Sequence, residues 1–152
     1  MTVRVQTADF DIGAEINKLR QARKDIGAVV SFVGLVRDLN DGDTVSQLTL
    51  EHYPGMTEKS LAAIIEQAKA RWRIIDALIV HRVGTLQPSD QIVLVIATSA
   101  HRGDAFSACE FMMDYLKTEA PFWKKEANST GEHWIEAKSA DDAARDRWSI
   151  EK

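Results

Sequence analysis

A single cysteine, three prolines and no apolar run of membrane-span length set the first limits on this chain of 152 residues. With Cys109 as its one thiol, it can form no intramolecular disulfide and no zinc site built on several cysteines. Cys109 lies in a helical pattern, where a small buried hydrophobe is the natural role, and such cysteine usage fits a reducing, cytoplasmic setting. No stretch reaches the ~18 apolar residues of a membrane span, and no basic segment leads into an apolar core at the N-terminus, so neither insertion nor secretion is expected. A basic excess is missing as well. Lys and Arg number 19 against 23 Asp and Glu, a net charge of -4, which argues against general nucleic-acid or membrane-surface binding. Any anion this chain binds must be met by a local basic cluster.

Familiar catalytic signals are also absent. No glycine-rich loop opens a helix, because Gly27 and Gly34 lie in or beside an apolar strand. There is no HExxH, and His52, His81, His101 and His133 are too scattered to be read as a ligand set. A Ser/His/Asp triad stays open, without a GxSxG elbow to support it. Repeats, low-complexity tracts and linkers are lacking, so residues 1–152 are expected to form one domain, and 45% hydrophobic content suffices for a sizeable core.

What is present patterns as α+β. Residues 3–7 read as a strand, and Asp9 or Asp11 can cap a helix with Ile12, Ile16 and Leu19 at helical spacing. Residues 28–37 are apolar on both faces, which predicts a central strand covered on both sides. Past the turn formers at 40–43, residues 45–53 resume as a strand expected to pair antiparallel with it. Thr57 is the expected N-cap of an amphipathic helix carrying Leu61, Ile64, Ile65, Ala68 and Trp72 on one face. Residues 77–83 and 91–98 are further strands joined by turn chemistry at 84–90. Residues 134–138 alternate like a strand, and 141–148 read as a terminal helix capped by Asp141 or Asp142. Hairpin-like connections favour an α+β domain with largely antiparallel sheet over a doubly wound parallel fold.

Basic residues gather where apolar elements end: Arg37 after the 28–37 strand, His101 and Arg102 after the 91–98 strand, Lys117 late in a helix, and Lys124 and Lys125 beyond Pro121. Cations beside a helix start, where backbone N–H groups are also unpaired, can receive a phosphate or carboxylate. Taken singly, each is also an ordinary solvated charge, and His101-Arg102 reads equally as a polar turn. At ~100° per residue, Ala105, Phe106, Cys109, Met112, Met113 and Leu116 share one arc and Lys117 falls at its edge. Partial burial there would lower its pKa and suit it to proton transfer or nucleophilic work. The alternative is a snorkelling lysine paired with Asp114 or Glu110.

Five segments carry a resemblance: GAVVSFVGLVRDLN (27–40), LTLEHYPGMTEKSL (48–61), HRVGTL (81–86), SAHRGDAFSACEFMMDYLKTEAPFWKKE (99–126) and HWIEAK (133–138). In this order, across roughly residues 3–150, they resemble the catalytic, larger subunit of molybdopterin synthase. The resemblance implies an α/β-hammerhead-like fold with additional antiparallel sheet. It also implies a sulfur transferase that converts cyclic pyranopterin monophosphate (precursor Z) to the dithiolene molybdopterin. The implied sulfur donor is the C-terminal glycine thiocarboxylate of a small ubiquitin-like subunit, whose tail enters a pocket of the larger one. The implied assembly is a homodimer within a heterotetramer. No metal or redox cofactor is implied, because the sulfur arrives already activated.

Carried over by position, Arg37 closes an F-x-G-x-V-R element and, with Leu35 and Val36 before it, belongs to the implied substrate pocket. His101 and Arg102 match an S-x-H-R element of that same pocket. Lys117 and Lys124 are the implied catalytic residues, one stabilising an oxyanion or donating a proton, the other orienting substrate or tail. Lys125 and Glu126 complete the implied wall. Lys138 stands where relatives often carry arginine, so a phosphate contact there would keep charge without bidentate geometry. Ser89 occupies a turn position where glycine is common in relatives. Two readings of other kinds remain open at this stage: a non-catalytic module that binds a ubiquitin-like tail, and an unrelated enzyme acting on a phosphorylated or acyl-carrying anion.

Overall fold

A computed structural model describes residues 2–40, 43–128, 131–135 and 139–149. In chain order its elements are β1 (Thr2–Gln6), α1 (Ile12–Arg20), β2 (Ala28–Leu35), β3 (Leu39–Asn40), β4 (Asp43–His52), α2 (Met56–Arg71) and β5 (Ile74–Arg82). They continue with β6 (Gly84–Leu86), β7 (Gln91–Ser99), α3 (Arg102–Glu119), β8 (Phe122–Asn128), β9 (Gly131–Ile135) and α4 (Ser139–Asp146), followed by a 3-10 turn at Arg147–Ser149. Among the described residues no helix is long and apolar enough to cross a membrane.

The first sheet runs β1-β5-β7-β2, with β1 parallel to β5 and the other pairs antiparallel. Alternation along its central strands divides the core in two. Ala77, Ile79, Val93, Val95 and Ala97 face α2 and α3, while Leu78, Val80, Leu94 and Ile96 join Phe10 with Ile12, Ile16 and Leu19 of α1. α1 begins where Asp11 accepts a hydrogen bond from the Ala14 N–H at 3.0 Å, a side-chain cap of the expected kind. The second sheet runs β3-β4-β8-β9, with β6 also on β4. A third core of Val36, Leu48, Leu50, Val83 and Leu86 joins the sheets. The fold is α+β with mostly antiparallel pairing, as expected.

Several expectations are corrected. β2 is not a central strand covered on both sides: it lies at the sheet edge, with Phe32 41% and Leu35 51% exposed. Nor does it pair with β4, which bonds instead to β3, β6 and β8. Two neighbouring apolar segments can join different sheets because pairing is decided by distant strands. Gly55, at φ +83°, caps α2, and Glu58 accepts from its N–H at 3.1 Å. Thr57 lies inside the first turn. The 134–138 strand is described only as β9, and residues 136–138 fall outside the described residues. Asp141 and Asp142 sit within α4's first turn, where carboxylates favour the positive helix end.

The buried arc of α3 is Ala105, Ala108, Cys109, Phe111, Met112, Met113 and Leu116. The helix packs against both α2 and the sheet, which turns its buried arc toward Ala108 and Phe111. Phe106 is left 60% exposed, and Lys117, about 20° beyond it, is exposed too.

Candidate active site

The topology sets the site at one end of the first sheet. β7 runs from Gln91 to Ser99, and its partners place Leu35 and His81 beside its start and Ala28 and Ile74 beside its end. α3 then returns along the sheet toward the β7 start. Lys117 therefore comes back to the end that holds His81 and the β2 exit at Arg37. Two backbone hydrogen bonds hold that exit: Val36 N–H donates to Asp90 O at 2.9 Å and Ser89 N–H to Val36 O at 2.8 Å. Val36 is buried, while Leu35 and Arg37 are exposed.

β8 supplies the second lysine. α3 stops at Glu119, Pro121 follows, and Phe122 N–H donates to Ala120 O at 2.9 Å. Phe122 lies opposite His52, Lys124 opposite Leu50, and Glu126 opposite Leu48. Alternation puts Phe122, Lys124 and Glu126 on one face, directed with Leu48 and Leu50 toward the core side. Lys125 points the other way. Its ammonium lies 3.4 Å from Glu132 and 5.4 Å from the centre of the Trp134 ring. Strand alternation thus turns Lys125 and Glu126, the two residues implied to complete the pocket wall, to opposite faces.

The same end of the sheet holds a buried imidazole. His81 stacks on Phe122 with ring centroids 3.8 Å apart and planes 19° from parallel. Its Nδ1 is 2.8 Å from Arg82 O. A carbonyl can only accept, so Nδ1–H donates and Nε2 carries the lone pair. Burial lowers the His81 pKa to about 3; the bond to Arg82 opposes this, and the charges of Lys124, Lys117 and His52 add to it. The ring is neutral at physiological pH. Sequence reasoning passed over His81 as one scattered histidine, although alternation from Ala77 and Ile79 would have placed it on the core face.

Lys117 does not pair with Glu110 or Asp114 as one sequence reading allowed. Arg147 takes both carboxylates, Asp114 at 2.7 Å, and Trp148 Nε1–H donates to Asp114 at 2.6 Å. Nor is Lys117 partly buried in this chain. His101 and Arg102 are not brought to the lysine end at all: sixteen residues of helix separate His101 from Lys117, about 24 Å, and both are exposed at the opposite end of the sheet. Lys138 lies outside the described residues. Burial pushes the Cys109 thiol up to about 12, so it is an inert core group. Among the described residues no group of three or more His, Cys, Asp or Glu could hold a metal ion.

Two ammonium groups at the end of the sheet that holds a neutral, buried imidazole can bind an anion and stabilise an oxyanion. Comparison with known proteins fits this chemistry. The family model described as MoaE protein matches residues 5–119. The molybdopterin synthase catalytic subunit of Ralstonia nicotianae is 62% identical over 98% of this chain and 85% of its own length. That of Pseudomonas aeruginosa is 54% identical over 97% and 99%. Among solved structures, the molybdopterin biosynthesis MoaE protein of Burkholderia ambifaria is 58% identical, covers 99% of both chains and has a TM-score of 0.84. The molybdopterin synthase of Staphylococcus aureus, 34% identical, covers 88% of this chain and 96% of its own with a TM-score of 0.80.

Proposed function

Because this chain belongs to the MoaE protein family, we propose that residues 1–152 act as one catalytic-subunit domain of a cytoplasmic molybdopterin synthase. The reaction is sulfur transfer from the C-terminal thiocarboxylate of a small ubiquitin-like subunit to cyclic pyranopterin monophosphate, giving molybdopterin. The observation that supports it is the return of α3 and β8 to one sheet end, the end that holds His81, which stacks on Phe122 two residues before Lys124. A chain of net charge -4 has concentrated cations at this point, as two anionic reactants require.

In this reading Lys124 orients the substrate or tail, with Glu126 on the same strand face. Lys117 stabilises the oxyanion or donates a proton as sulfur attacks. Arg37 anchors pterin or phosphate oxygens. His101 and Arg102 cannot reach that pocket within one chain, so they serve the pocket of a second copy. The exposed apolar groups fit this: Phe32 and Leu35 on an open strand edge and Phe106 on α3 form the kind of surface that another subunit covers. The assembly is then a homodimer with a small subunit at each end.

Reconstitution tests the reading. Purified chain, thiocarboxylated small subunit and precursor Z should yield molybdopterin, and Lys117→Ala should abolish product while retaining fold and small-subunit binding. Parental turnover by that variant would overturn the assignment. Tail binding without product by the parent chain would favour the non-catalytic module.

A further inference from the structure

The roles above leave His81 unused, although it is the buried ionisable group at the centre of the site. Its surroundings say what it could do. Pro121 has no N–H, its carbonyl is taken by the Thr57 hydroxyl at 3.1 Å, and Phe122 N–H is taken by Ala120 O. The backbone entering β8 is therefore committed, Phe122 stands in register opposite His52 of β4, and its ring packs against the core. His81 stacks on that ring at 3.8 Å between ring centres. Phe122 and Lys124 share a strand face, so a roll of β8 that moved the Phe122 ring would swing the Lys124 ammonium with it.

We propose that His81 is a positioning residue for Lys124: its imidazole, stacked on Phe122, fixes the first residue of β8 and thereby the place of the lysine two residues on. The proposal rests on the sulfur-transfer reading for its kinetic consequence, not for its geometry. Imidazole suits the task on two counts. Its flat face gives the offset or stacked contact that aromatic rings favour, and its Nδ1–H ties that face to its own strand through Arg82 O. Burial keeps the ring uncharged beside Lys124 and Lys117, so the platform adds no third positive charge to repel them.

Three variants separate ring from hydrogen bond. His81→Asn retains a donor for Arg82 O and loses the ring; His81→Phe retains the ring and loses the donor; Phe122→Leu removes the other half of the stack. In the reconstituted enzyme, His81→Asn and Phe122→Leu should each lower kcat at least about tenfold, because small misplacements of a catalytic group carry large rate costs. KM for precursor Z and affinity for the small subunit should stay within about twofold. His81→Phe should restore turnover, and the Asn/Leu double variant should be no slower than either single one. Parental kcat in Phe122→Leu, or a His81→Phe enzyme that has lost turnover as Phe122→Leu has, overturns the proposal even if His81→Asn does not fold. A second readout needs no activity. In chain carrying 13C-dimethylated lysines, the Lys124 resonance, assigned with Lys124→Arg, should move in Phe122→Leu and stay in His81→Phe. An unmoved resonance in Phe122→Leu overturns the positioning role, whereas a parent chain that makes no molybdopterin overturns the sulfur-transfer reading alone.

Discussion

The Thr57 hydroxyl donates to the carbonyl oxygen of Pro121 at 3.1 Å while accepting from the Tyr53 N–H at 3.0 Å. Thr57 is wholly buried, and this one group ties the start of α2 to the break that turns α3 into β8. The EHYPGM and APFWKKE segments, 64 residues apart from Thr57 to Pro121, are thus one local structure. Thr57→Val keeps shape but leaves a donor and an acceptor unpaired, at a cost of about 1–3 kcal/mol each at full burial. Urea unfolding should show a loss in that range with Thr57→Ser close to the parent, and product formation should fall with the valine variant because β8 loses its tether.

Ser89 has φ +77°, a left-handed conformation that costs a residue with a side chain roughly 1–2 kcal/mol. Glycine is free of that strain but loses more entropy on folding. Ser89→Gly should therefore stabilise the chain by about 0.5–1 kcal/mol, read as a raised urea midpoint with an unchanged slope. Its N–H to Val36 O is kept, so the Arg37 strand exit should remain in place and turnover should be unaffected.

His81 makes stability depend on pH. Buried and neutral, with a pKa near 3 against 6.5 for the free side chain, it binds no proton in the native state where the unfolded chain does. Its contribution is complete above about pH 6.5 and is lost as pH falls toward 3, at up to ~1.4 kcal/mol per pH unit. Urea midpoints measured at pH 7.5 and 5 should differ more for the parent than for His81→Phe. Equal differences would mean that His81 is not the group being protonated on unfolding.

The two lysines of the FWKKE segment should behave oppositely. Lys124 shares its face with Phe122 and the core, whereas Lys125 is directed at Glu132 and Trp134 on the outer face. Lys124→Ala should lower turnover about a hundredfold, as loss of an oriented cation at developing charge does. Lys125→Ala removes a surface pair of small energetic weight and should leave turnover within about threefold. Steady-state rates at saturating small subunit decide between them.

The sequence disclosed the helices and most strands because their signals are local. Ile12, Ile16 and Leu19 recur at helical spacing, and they pack on the sheet as that spacing requires. The place of β2 was not legible, since apolar residues on both faces describe a central strand and an edge strand with exposed Phe32 and Leu35 equally well. Phe106 misled for a related reason: spacing defines an arc, but contact with α2 decides where the arc begins. The candidate cations were legible as residue types and not in their grouping. Motif matches gathered Arg37, His101, Arg102, Lys117 and Lys124 into one pocket, and only the run of α3 shows that His101 and Arg102 stand at its far end.

That separation predicts complementation. The lysines and the His101-Arg102 pair are held about 24 Å apart by one rigid helix, so in a two-fold dimer each pocket would take Lys117 and Lys124 from one copy and His101 and Arg102 from the other. Lys117→Ala and Arg102→Ala homodimers should each be inactive. Refolded together in equal amounts, half of the dimers would carry one chain of each kind, with both lesions in one pocket and an intact second pocket. About a quarter of parental turnover should then return. If each pocket drew all its groups from its own chain, every pocket in the mixture would carry a lesion, and a mixture that stays inactive while forming dimers would exclude the shared site.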